Sequence, residues 1–65
     1  MEGIKQKREA LNITQKQLAE KMGVDRSTVA KWEAGVAFPA AAKLPKLAEV
    51  LGCTVTDLYA NNSIA

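Results

Sequence analysis

Residues 14–35, TQKQLAEKMGVDRSTVAKWEAG, constrain the fold more than any other stretch of this chain. Leu18, Ala19 and Met22 recur at helical intervals and form an apolar stripe. Ala19 is small, so another helix can cross it closely. Gly23 follows at once. Only glycine enters the left-handed conformation freely, so a sharp helix exit is expected there. Val24 then plugs the inside of the turn. Asp25 is the expected N-cap of a second helix, its carboxylate accepting free backbone N–H groups. Val29 and Trp32, three apart, point that helix inward. At about 100° per residue, Ser27, Ala30, Lys31 and Ala34 then face outward, with Arg26 on the flank. Gly35 ends the helix.

The flanking segments read as further helices. A first helix is expected from about Glu2 to Leu11, with Ile4, Arg8 and Leu11 on one face. An arginine in an apolar stripe needs a partner, because a buried unpaired charge is costly. Glu33 is the candidate; the other reading has Arg8 snorkelling to solvent or touching phosphate. Thr14 and Gln17 fit a capping box for the second helix. Phe38, in the loop Val36–Pro39, either packs on the core or lies exposed, and core packing is the expectation. Leu44, Leu47, Ala48 and Leu51 stripe a fourth helix. Pro45 lacks an N–H and belongs in a first turn. Regular helix is therefore expected from Lys43–Leu44, with Ala40–Ala42 as a looser turn before it. Gly52 stops that helix. Thr54 and Asp57 fit a second capping box, for a short fifth helix in which Val55, Leu58 and Tyr59 close the core or touch a partner.

Sixty-five residues suit one domain with one core. With no long apolar run, neither a membrane span nor a signal peptide is expected, and a cytoplasmic protein is. A lone Cys53 and no histidine exclude an internal disulfide and histidine catalysis, and leave no metal site or cofactor to expect. Cys53 is expected to be a small buried hydrophobe. The chain is not expected to be an enzyme, since it carries no nucleophile–base pair or glycine-rich phosphate loop. The net charge of +2 is unevenly spread: all nine Lys and Arg lie in residues 1–46 with five acids, and residues 47–65 carry two acids and no base. The first part can face a polyanion, and the last should point away from it.

Gln15, Leu18-Ala19, Met22-Gly23-Val24, Val29, Trp32-Glu33 and Gly35 together resemble the helix-turn-helix of the Cro/C1-type (XRE-like) regulators of bacteria and phage. The likeness continues through Pro39, Leu47-Ala48, Leu51-Gly52 and Thr54–Leu58, and covers roughly residues 4–60. It implies an all-α, five-helix lambda-repressor-like DNA-binding domain over residues 1–60, with residues 61–65 as a frayed tail. It also supports an interhelical Arg8–Glu33 ion pair. The second helix of the motif, at about 25–34, would lie in the major groove of double-stranded DNA. Carried over by position, Arg26, Ser27 and Lys31 are the base-reading candidates, since arginine and lysine reach guanine O6 and N7.

Gln15 matches the family's phosphate-binding position, and Thr14 can assist beside its capping role. Lys43 and Lys46 are candidates for the flanking backbone. The loop Val36–Phe38 departs from more basic versions and offers phosphate only its amides. The resemblance also implies a homodimer on a palindromic operator, its half-sites roughly 34–36 Å apart. The interface is expected in the C-terminal segment around Leu58, Tyr59 and Ile64; the alternative is a monomer that pairs only on DNA. A transcriptional regulator acting as a repressor is the leading reading. An antitoxin-type autorepressor and a protein-interaction module on the same helices are the alternatives.

Overall fold

The structure is a computed structural model, and it describes residues 1–59. The expected tail at 61–65, and with it Ile64, lies outside the described residues. Among the described residues five α-helices follow in order: α1 (Glu2–Ala10), α2 (Gln15–Met22), α3 (Arg26–Ala34), α4 (Leu44–Leu51) and α5 (Val55–Tyr59), with a 3₁₀ turn at Ala41–Lys43. Among the described residues there is no strand. The protein is all-α, as its helical stripes require.

Each helix of the central pair begins and ends for local reasons. Thr14 caps α2: its hydroxyl accepts the Gln17 N–H at 3.0 Å, and the Gln17 side chain accepts the Thr14 N–H at 2.8 Å. Gly23 ends α2 at φ 71° and lets Val24 donate back to the Ala19 carbonyl at 3.0 Å. Asp25 stands at the N-cap of α3 in extended conformation, but its carboxylate does not cap the helix. It accepts the Ser27 hydroxyl at 3.3 Å instead, and the Asp25 carbonyl takes the Thr28 and Val29 N–H groups. Gly35 ends α3. Pro45 falls in the first turn of α4, and the looser turn before it is the 3₁₀ segment, one residue later than expected. The second capping box is present, with Thr54 and Asp57 bonded reciprocally at 3.1 and 3.2 Å.

One core collects Met1 and Ile4 from the N-terminus, Leu18, Ala19 and Met22 from α2, Val29 and Trp32 from α3, Leu47, Ala48 and Leu51 from α4, and Leu58 from α5. Cys53 is half-buried at its edge, and burial pushes its thiol up. Two expectations about apolar residues fail, for Leu11 and Phe38, and the interface reading of Leu58 is corrected. Leu11 is 48% exposed. Helix α1 ends before it, and Asn12 turns the chain at φ 59°, a conformation asparagine tolerates better than most residues. Ile13, not Leu11, then packs against the core. Phe38 is 68% exposed, and Pro39 is the loop residue that is buried. Leu58 closes the core, one of its two expected roles, and being fully buried it drops out of the expected dimer interface. Tyr59 beside it is exposed.

Gly3 is an unforeseen contact. It packs against the backbone of α5. A Cβ there would lie 2.7 Å from the Leu58 carbonyl carbon and closer still to the Asp57 and Leu58 carbonyl oxygens. No side chain fits, so the approach of α1 to α5 depends on glycine at this position.

Candidate nucleic-acid interface

Helix α3 has one face in the core and one in solvent. Val29 and Trp32 are buried, while Arg26, Ser27, Lys31 and Ala34 are exposed and Ala30 is half-buried. The inward pair fixes the rotation of the helix, so the outward set is fixed with it. Arg26 and Ser27 stand in the first turn, and Lys31 lies one turn beyond Ser27. Thr14 and Gln15 stand at the matching end of α2. Lys43 closes the 3₁₀ turn and Lys46 lies in the first turn of α4; both are exposed. Among the described residues, Lys31, Lys43 and Lys46 make no ion pair.

Beneath the outward face, Arg8 and Glu33 meet as a two-pronged pair. Arg8 Nε donates to Glu33 Oε2 at 2.6 Å, and Nη2 donates to Oε1 at 3.2 Å. The side chains are only 12% and 5% exposed. Arg8 Nη1 also donates to the Ile13 carbonyl at 2.8 Å, which ties the α1–α2 connection to the pair. Burial pushes the Glu33 carboxyl up. Hydrogen bonds from Arg8 and Gln15, with the positive charges of Arg8 and Lys5, outweigh it and hold the group below its ordinary value. The hydrogen bond to Glu33 in turn holds the Arg8 guanidinium more firmly protonated.

Gln15 connects this pair to the surface. Its Nε2 donates to Glu33 Oε1 at 3.0 Å, and its Oε1 accepts from Arg26 Nη1 at 3.2 Å. The structure thus joins Arg8, Glu33, Gln15 and Arg26 in one chain of hydrogen bonds. Ser27 lies outside it, bonded to Asp25, and no hydrogen bond links Lys31, Lys43 or Lys46 to it among the described residues. Sequence reasoning placed Gln15 and Arg26 separately and missed their contact. The available signal was only positional: each is the first residue of its helix.

Two short packed helices, a left-handed glycine between them and an outward cationic face on the second make a helix-turn-helix. A protein-family model described as helix-turn-helix matches residues 4–58. The chain belongs to the Cro/C1-type (XRE-like) helix-turn-helix transcriptional regulators. Among curated relatives of the family, the HTH-type transcriptional activator BcrR of Enterococcus faecalis is 32% identical over 63 residues. That alignment takes in 97% of this chain and 31% of BcrR, so the chain spans about a third of its relative's length. No solved structure gives a significant match. No helix among the described residues is long and apolar enough to cross a membrane.

Proposed function

We propose that this domain reads double-stranded DNA by laying α3 in the major groove and so regulates transcription from the sites it occupies. The supporting observation is the outward face of α3: Arg26, Ser27 and Lys31 project from a helix whose rotation Val29 and Trp32 lock. Arg26 and Lys31 address guanine, and Ser27 an adjacent base edge. Thr14, Gln15, Lys43 and Lys46 hold the phosphate backbone, aided by the free N–H groups at the start of α2. One recognition helix covers few base pairs, so the domain works as a homodimer on a palindromic site with half-sites roughly 34–36 Å apart. With Leu58 in the core, Tyr59 is the described member of the expected interface set that stays exposed.

Occupancy alone blocks a promoter, so repression in the cytoplasm needs nothing beyond this domain, and an antitoxin-type autorepressor works the same way. Activation is the second reading, favoured by the name of the relative BcrR, most of whose length has no counterpart in this chain. The test is selection of bound sequences from random DNA, followed by transcription from a promoter carrying the selected site. A palindrome with a G·C pair in each half-site, bound less tightly as salt rises, supports the reading. A domain that binds no DNA at low salt is a protein-interaction module instead.

A further inference from the structure

We infer that Val36 is a specificity-determining residue: it stands beside Lys31 at the end of α3 and reads the methyl group of a thymine. The inference rests on the DNA-reading function proposed above, and it comes from a comparison inside the molecule. Helices α2, α3 and α4 end in the same way. Each closes on a left-handed glycine, at Gly23, Gly35 and Gly52. In each, the N–H after the glycine donates to a carbonyl five positions back: Val24 to Ala19 at 3.0 Å, Val36 to Lys31 at 3.0 Å and Cys53 to Ala48 at 2.9 Å. Such a closure commonly sets the side chain after the glycine against the residue whose carbonyl it uses. At α2 and α4 that residue is a buried alanine, and Val24 and Cys53 pack against the core. At α3 it is Lys31, which faces solvent, and Val36 is 74% exposed.

A motif that fills the core twice is thus turned outward once, at the end of the helix that presents Arg26, Ser27 and Lys31. Val36 is poorly suited to a phosphate. Its side chain is uncharged, and its N–H and that of Ala37 both already bond the Lys31 carbonyl, at 3.0 and 3.3 Å. In the major groove, the apolar group that base edges present is the thymine 5-methyl. Valine can meet it at small entropic cost, because its branched side chain is stiff and its backbone is held to the end of the helix. Lys31 beside it reaches a guanine acceptor. The two side chains therefore address neighbouring base pairs of unlike chemistry, one through charge and one through shape.

The experiment uses the site selected from random DNA and copies of it in which each thymine in turn is replaced by uracil. Uracil pairs identically and lacks only the methyl. Binding of wild type, Lys31→Ala, Val36→Ala and Val36→Ile is measured on each copy. At one thymine, next to the base pair where Lys31→Ala loses discrimination, uracil should weaken wild-type binding roughly fourfold, as loss of one buried methyl does. Val36→Ile should keep that dependence and Val36→Ala should lose it. Both variants should melt with wild type, because the side chain is exposed. Equal binding of wild type to thymine and uracil copies at every position overturns the inference. So does a uracil effect that persists in Val36→Ala, which assigns the methyl to Ala30 or Ala34. Weaker binding of Val36→Ala on all copies alike, with the uracil effect absent from wild type, overturns it too and places Val36 against a second copy of the chain. A wild type that selects no sequence at all overturns the DNA-reading function itself.

Discussion

The α2–α3 unit and the α1–α5 junction both bring two helices into close contact, and they do so by unlike means. In the first, everything that sets the geometry lies within a few residues along the chain: a capping box at Thr14, the small Ala19 at the crossing, the left-handed Gly23, and Val24 beneath the turn. In the second, Gly3 meets the carbonyls of Asp57 and Leu58, more than fifty residues away. There the contact is backbone against backbone, with no side chain to announce it. A local unit has many small supports, and the loss of one should be modest. A long-range junction resting on a single missing side chain should tolerate no addition at all.

The Arg8–Glu33 pair spans both kinds of region, and breaking it should have the largest effect. Glu33→Ala strands a poorly solvated guanidinium and should cost about 3 kcal/mol, the low end for a broken buried pair, because Arg8 keeps its bond to the Ile13 carbonyl. A domain of this size has little stability to spare, so denaturant melts should show the variant mostly unfolded at 37 °C. A loss under about 1 kcal/mol would place the pair among ordinary surface bridges.

Gly3→Ala comes next. An added methyl must push α5 off α1, and overpacking of this kind costs about 1–3 kcal/mol. The helix propensity gained is smaller, at most about 1 kcal/mol. A variant as stable as wild type would mean that α5 shifts freely, and the contrast between the two regions would dissolve. Thr14→Ala and Thr54→Ala are a matched pair on the two sides of it. Each removes a capping hydroxyl and should cost about 1 kcal/mol in thermal or urea melts. A much larger loss at Thr54 would show that α5, like its junction with α1, has no reserve.

Acid should act through the same groups. The folded-state pKa of Glu33 is depressed below its unfolded value. Its stabilisation is therefore complete above the ordinary carboxylate range near pH 4.5 and is lost as pH falls through the lower folded value. Asp57 is also depressed, by hydrogen bonds from the Thr54 backbone and side chain, and its contribution has the same sign. Stability measured from pH 7 downward should stay level with respect to these groups until the carboxylate range and then fall. Glu33→Gln should flatten part of that fall. Smallest of all should be Arg26→Ala, within about 0.5 kcal/mol in a melt because the side chain is exposed, even though binding to the selected site should weaken by about 1–3 kcal/mol.

What the amino-acid sequence determined by itself was most of what is decided within a helical turn, the Asp25 cap of α3 and the end of α1 excepted. Helix starts at Thr14 and Thr54, stops at Gly23, Gly35 and Gly52, the first-turn place of Pro45 and the inward faces of α2, α3 and α4 follow from interactions reaching three or four residues, and short patterns encode these directly. The tertiary structure alone decided which of several equally apolar candidates reached the core. Ile13 and Pro39 are inside while Leu11 and Phe38 are outside, because the direction of the chain after α1 and α3 depends on what the other helices already occupy. It also decided that Gly3 is a packing residue and that Gln15 bridges Glu33 to Arg26. Those contacts join residues eleven or more apart, and a hydrogen bond or a close approach at that separation has no period in the sequence to reveal it.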